Sequence, residues 1–178
     1  MKKIYLFVIF YFLSKMYSQE KFIFNKDGFT DYVVVEINQN SSELYSKTIN
    51  WIKETYKDPD NVIKMTIVND KIRIYAYTNE LISYNVGKKK VNNDSYYTIE
   101  ISFKEGKYKF DPTELKISNP MGSSTGLLDG RSLYYDEKGK LPKGFEEIPT
   151  KFETFFNNLN ESLKNYLEGN YKSKSSDW

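Results

Sequence analysis

The sequence predicts an α+β fold: a two-layer sandwich whose mainly antiparallel, five-stranded sheet, in the order β-α-β-β-β-β-α, carries two helices on one face. Three observations carry this. The stretch from Asn40 to Tyr56 places Leu44, Tyr45, Thr48, Ile49, Trp51, Ile52, Thr55 and Tyr56 on one arc at helical spacing, with Ser46, Lys47, Asn50, Lys53 and Glu54 opposite. Residues 61–78 and 96–110 alternate apolar and polar side chains with period two, as strands with one covered face do. A second amphipathic stretch repeats Phe152, Phe155, Phe156, Leu159, Leu163, Tyr166 and Leu167 at three- and four-residue spacing.

Lys2 and Lys3 precede the apolar run Ile4 to Leu13, after which residues 14–19 turn smaller and more polar, the pattern of a secretory signal peptide over residues 1–18. The run is shorter than the roughly 20 residues that span hydrocarbon, so the expectation is cleavage near Ser18 with no stable membrane insertion afterwards. The chain has no Cys, which excludes a disulfide framework and lipid attachment through a cysteine. The leader holds Lys2, Lys3 and Lys15 and no acidic residue; without it 23 basic residues face 24 acidic ones, a net charge of −1. The basic balance of the whole chain is thus a property of the leader, and a nucleic-acid partner is not expected. Residues 19–169 are expected to form one domain, with a glycine-rich connection over 118–148 and a polar tail over 170–178.

Gly28 marks a turn before a strand at 31–37, in which Val33, Val35 and Ile37 alternate with Tyr32, Val34 and Glu36. Asn40 is placed to cap the first helix, with Glu43 completing a box-like pair, and Asp58-Pro59 to stop it. Residues 61–68 put Ile63, Met65 and Ile67 on one side, Asn69-Asp70 suits a two-residue hairpin turn, and the return strand at 71–78 aims Ile72, Ile74 and Ala76 inward with Lys71, Arg73, Tyr75 and Tyr77 outward. Residues 79–94 read either way: ELISYNV can extend the sheet, while GKKKVNND is a polar, charged connection. The expectation is a loop. Tyr97, Ile99, Ile101 and Phe103 then share one face, Glu105-Gly106 turns the chain, and the partner strand from Lys107 is interrupted near Asp111-Pro112, where Pro implies an edge or a bulge, with Leu115 and Ile117 placed to continue it. Five of the nine glycines fall in 118–148, and no regular period survives there. Thr150 with Glu153 reads as a capping box opening the last helix, which ends at Gly169.

LYSKTINWIKETYKDPDNVI, from Leu44 to Ile63, followed by YYTIEISFKEGKYKF, from Tyr96 to Phe110, resembles the exported Bacteroidetes family known as domain of unknown function 4468. The marks are Tyr45 and Trp51 six apart on the first helix, a Tyr shortly before Pro, and the Tyr-x-Ile…Lys-x-Gly-x-Tyr hairpin, over roughly Phe22 to Ile117. The resemblance implies a TATA-binding-protein-like fold and an envelope location. It implies no activity.

With no His and no Cys, the chain lacks the usual imidazole base, the thiolate nucleophile and nearly every transition-metal ligand set. Carboxylates, Lys, Tyr and Ser remain, a thin inventory for an exported enzyme, and no cofactor is expected. The first candidate site is the outward face of the sheet, where Arg73, Tyr75, Tyr77, Tyr96 and Lys107, with Lys64, Lys71, Thr98, Glu100 and Lys109, would form an aromatic and basic platform for sugar or aromatic rings or an anionic partner. The bland reading gives these residues ordinary strand roles with solvated Lys heads. The second is the loop NPMGSSTGLLDG from Asn119 to Gly130, which lacks the Gly-Lys-Ser/Thr ending of a phosphate cradle and suits a partner-binding segment; the apolar Leu127, Leu128, Leu133, Tyr134 and Tyr135 imply that part of it packs. Asp58, Asp60, Asp129 and Asp136 fit turn-forming roles and no calcium loop. The leading expectation is an exported, non-enzymatic domain that binds or scaffolds an envelope protein or glycan, periplasmic or secreted. The alternatives are a carbohydrate- or small-molecule-acting enzyme using Tyr, Lys and carboxylates, and nucleic-acid binding by fold analogy, which fold alone does not support.

Overall fold

The computed structural model describes residues 21–86, 89–118, 124–126, 135–141 and 143–170. The expected leader, residues 171–178 of the tail, Asp129, and Leu127, Leu128, Leu133 and Tyr134 of the glycine-rich connection lie outside these residues. In chain order the elements are β1 (Phe24–Asn25), β2 (Gly28–Phe29), β3 (Val33–Glu36), α1 (Ser41–Thr55), a one-turn α2 (Pro59–Val62), β4 (Ile63–Ile67), β5 (Lys71–Val86), β6 (Lys89–Lys104), β7 (Lys107–Ser118), β8 (Ser124–Gly126) and α3 (Ile148–Leu167). Five antiparallel strands stand in the order β3-β7-β6-β5-β4, and short β8 joins β7. Among the described residues, no helix is long and apolar enough to cross a membrane.

The core lies between α1 and α3 and the inner face of the sheet, and its residues follow the predicted periods. Leu44, Thr48, Trp51 and Ile52 of α1 and Phe152, Phe156, Leu163 and Leu167 of α3 are buried against Ile72, Ile74, Ile99, Ile101, Tyr108 and Phe110. The polar ends of two large buried aromatics are matched: the Trp51 indole donates to Ser162 Oγ at 3.1 Å, and the Tyr108 hydroxyl donates to Asn160 Oδ1 at 2.9 Å. Burial holds the Tyr108 hydroxyl far above the ordinary phenolic range.

The ends of the helices differ from expectation in instructive ways. Asn40 caps α1 by accepting from the Glu43 N–H at 2.9 Å, but the Glu43 carboxylate turns to Lys47 at 2.8 Å. Asp58-Pro59 does more than stop α1: Asp58 caps α2, accepting from the Asn61 N–H, and Pro59 occupies the first turn, where its missing N–H costs nothing. The Thr150 capping box does not form. The last helix starts three residues earlier, with Pro149 in its first turn and Glu147 at the cap, so Thr150 is already helical. Glu153 is used elsewhere: it accepts the Phe24 N–H at 2.9 Å.

Three features of the sheet correct the sequence reading, and a fourth meets it. Residues 79–94, expected as a loop, belong to one long hairpin: β5 and β6 pair from Lys71↔Ser102 to Val86↔Lys89, with a register shift between Thr78 and Ile82. The polar inward positions Asn93 and Ser95 are buried; small polar side chains there broke the apolar alternation without breaking the ladder. The β4–β5 turn has three residues rather than two, since Ile67 pairs with Lys71; the Asp70 N–H donates to the Ile67 carbonyl, and Asn69 takes φ 60°, a conformation Asn tolerates better than most residues. A bulge between Ile63 and Met65 sets Ile63 opposite Ile74 but Met65 opposite Arg73 and Ile67 opposite Lys71, so Ile63 faces inward while Met65 and Ile67 face outward. β7 carries the bulge expected at Pro112 and continues through Leu115 and Ile117 to Ser118: Ile99 pairs with Pro112 and Thr98 with Glu114. That bulge lies where β7 has left β3 and not yet met β8, a place where a residue without an N–H is tolerated.

The N-terminal segment was not legible as structure. The Asn157 side chain clamps Phe22 from both sides, accepting its N–H at 2.8 Å and donating to its carbonyl at 2.9 Å. With Glu153 one turn away holding Phe24, α3 presents the segment with side-chain groups in place of a strand edge. Phe22 stacks on Phe29 and Phe24 on Phe152, at centroid distances of 5.3 and 5.2 Å. Tyr135, from the glycine-rich connection, packs against Phe24 at 6.1 Å, so this part of the connection does join the core.

Candidate functional site

Strand alternation and register place the outward residues in rows across the sheet. One row reads Lys71, Ser102, Lys109, Val34; the next Arg73, Glu100, Asp111; then Tyr75, Thr98, Glu114; then Tyr77, Tyr96, Lys116. Arg73, Tyr75, Tyr77 and Tyr96 therefore share one surface, as the alternation predicts. Lys107 shares the face but not the neighbourhood. It lies opposite Lys104 and Glu36 at the β6–β7 turn, and nine residues of β7 separate it from Lys116, about 30 Å along an extended strand.

The three tyrosines form one cluster. Tyr75 stacks on Tyr96 with centroids 5.8 Å apart and planes 10° from parallel, and Tyr77 tilts against the same ring at 5.4 Å. Tyr77 is 51% exposed. Its hydroxyl donates to Asp94 Oδ1 at 2.7 Å, and that hydrogen bond raises its pKa above the ordinary phenolic value. Thr98 points to the same face but is buried beneath its neighbours, donating to Glu114 Oε2 at 3.2 Å.

The expected basic character is the part the geometry removes. Glu100, its side chain only 14% exposed, receives Lys71 at 2.8 Å and the guanidinium of Arg73. The Lys71 hydrogen bond holds its carboxyl below the usual range against an opposing desolvation, and Arg73 adds to the lowering. Lys109 pairs with Asp111 and lies over the Tyr32 ring at 5.0 Å. Lys116 pairs with Glu114 at 2.9 Å; its hydrogen bond lowers the pKa of Glu114 and raises that of Lys116. The cations of the middle rows are neutralised by carboxylates on the same strand or the next. Asp94, Glu114 and Lys116 were absent from the sequence reading, Asp94 because residues 79–94 read as a loop, and Glu114 and Lys116 because their positions depend on the bulge at Pro112. Carrying the alternation of β7 past Pro112 with one extra residue would have found Glu114 and Lys116.

The remaining candidates resolve into structural roles. Asp136 accepts from the N–H groups of Lys138 and Lys140 at 2.9 and 2.8 Å, ordering a turn that contains Gly139 at φ 72°. Asp58 caps α2. No group of three or more acidic side chains that could hold a metal ion occurs among the described residues. Of the segment 119–130, only residues 124–126 are described, and they pair with the end of β7.

No protein-family model matches the chain, and no curated protein matches it. Two solved structures are similar. One, a DUF4468 family protein from Bacteroides ovatus, is 12% identical with a TM-score of 0.63, over 80% of this chain and 86% of that one. The other, a TBP-like protein from Parabacteroides distasonis, is 14% identical with a TM-score of 0.49, over 77% and 90%. The chain thus shares the fold of the DUF4468 family protein, in agreement with the resemblance read from its helix and hairpin.

Proposed function

We propose that this chain is an exported, non-enzymatic binding module of the bacterial cell envelope that engages its partner through the outer face of the sheet. The observation that carries the reading is the cluster of Tyr75, Tyr77 and Tyr96, aromatic rings held together at the surface with Tyr77 half exposed. Aromatic side chains supply large contact area at little entropic cost, and rings fixed against one another are already ordered before binding. Export is supported by the basic and apolar leader pattern of residues 1–18. The lack of His and Cys, together with the turn-forming use of Asp58 and Asp136, supports binding over catalysis.

Co-purification from the native envelope tests the assignment. Tyr75→Ser with Tyr77→Ser is expected to abolish recovery of the bound component while leaving folding largely intact, since solvent-facing strand pairs carry only about 0.2 to 1 kcal/mol each. Undiminished recovery with a folded double variant would refute the use of this face. Intact-mass analysis of the exported protein checks the leader, with an expected mature start near Gln19; a retained leader in the membrane fraction would overturn it.

A further inference from the structure

Resting on the binding role of this face, we infer that its ligand is an uncharged glycan whose sugar rings lie on Tyr77 and Tyr96. Charge supplies the first argument. Lys71 and Arg73 are spent on Glu100, Lys109 on Asp111 and Lys116 on Glu114. An anionic ligand would have to break these pairs and leave carboxylates beside it, whereas an uncharged ligand leaves them in place.

Size supplies the second. Among the described residues, the other exposed apolar side chains of this face lie far from the tyrosines. Ile67, 48% exposed, sits on the Lys71 row, and Tyr32, 47% exposed, sits beside Lys109. Tyr77 is six residues along β5 from Lys71, about 20 Å, and the belt of Arg73, Glu100 and Asp111 lies between. Among the described residues the apolar surface is therefore split into small islands rather than the continuous desolvated centre a stable protein interface is built around. The tyrosine island, in which the half-exposed Tyr77 ring tilts by 55° against Tyr96 at 5.4 Å, is a small aromatic contact of a size that a few sugar rings cover.

The third argument is the polar rim. Asp94 accepts from Tyr77 and, as a carboxylate, keeps further acceptor capacity. Ser118 lies opposite Asp94, and Lys116 opposite Tyr96. Hydroxyl-rich rings need this combination, an aromatic face for their C–H surfaces and acceptors and donors at the edge for their hydroxyls.

The test is titration of the purified full chain with uncharged hexasaccharides of β-1,4-glucose, α-1,4-glucose and β-1,4-N-acetylglucosamine, and with a hexamer of galacturonate as the anionic probe, followed by calorimetry and by NMR of the tyrosine rings. At least one uncharged hexasaccharide is expected to bind and to shift the Tyr77 and Tyr96 resonances, with affinity little changed by salt. Tyr77→Ala should weaken binding about tenfold or more, and Tyr77→Phe, which keeps the ring, should retain most of it. A thermal melt of each variant separates lost binding from lost fold. Absence of binding by every uncharged probe up to about 10 mM, or binding of galacturonate alone, overturns the inference. If co-purification still depends on Tyr75 and Tyr77 in that case, the face remains the binding surface and its ligand is of another class; if it does not, both readings fall together.

Discussion

Along β5 the same alternation writes two faces that are held together by different means. Inward, Ile72, Ile74 and Ala76 are buried under two helices; each large apolar side chain removed from water there stabilises the fold by about 1.5 to 3 kcal/mol. Outward, Lys71 and Arg73 meet Glu100, and Tyr75 meets Tyr96, contacts worth about 1 kcal/mol or less at a surface. The inner face sets the stability and tolerates little change. The outer face orders its side chains laterally at small energetic gain, which is the condition of a surface able to change sequence for recognition without unfolding the domain.

The contrast is broken most sharply at Trp51. Trp51→Ala should cost about 3 to 5 kcal/mol in denaturant melts, the loss of a large aromatic from a packed core, whereas Asn50→Ala on the exposed side of α1 should cost under about 0.5 kcal/mol. Equal losses would mean that the helix presents a different face to the sheet. Asn157→Ala tests an intermediate case, since Asn157 is half-buried and holds the Phe22 backbone through two hydrogen bonds. A loss of about 1 to 3 kcal/mol is expected, with faster amide exchange at Phe22 and Phe24 and little change in the β5–β6 ladder. A loss confined to global stability, without local exchange, would count against the clamp.

The smallest effect belongs to the outer face. Glu100→Gln should cost about 0.5 to 1 kcal/mol at neutral pH. Because the folded-state pKa of Glu100 lies below its ordinary value of 4.5, its contribution is present above that value and is lost as pH falls through the lower, folded one. Stability measured against pH should therefore decline less steeply below about pH 4.5 in the variant than in the native protein. Identical acid limbs would show that the Lys71 and Arg73 contacts do not persist in solution.

The parts of the fold legible in the sequence were those where one face is uniformly apolar: the arc of α1, the Ile and Phe rows of β5 and β6, the Phe and Leu stripe of α3. Legibility failed wherever the period was shifted by one residue. The bulge at Lys64 moves Met65 and Ile67 to the outer face, the extra residue after Pro112 carries Glu114 and Lys116 there, and buried Asn93 and Ser95 hid the outer half of the hairpin. The site suffered from the same cause. Its tyrosines come from unbroken alternation and were readable; the meeting of Glu100 with Lys71 and Arg73 and the distance of Lys107 depend on register, which no single strand reveals. Phe22 and Phe24 were missed for another reason: side chains on a helix hold their backbone, and the pairing of Phe24 with Phe29 belongs to strands of two residues each, too short to show a period.

The clamp on Phe22 and Phe24 spans 135 and 129 residues of sequence, which makes the first described segment of the chain among the last able to find its place. Closing so long a loop carries an entropic cost before any contact rewards it. A chain emerging amino end first thus exposes its phenylalanines until α3 has been made and delivered. This architecture postpones completion of the core until the last helix arrives to receive the first residues.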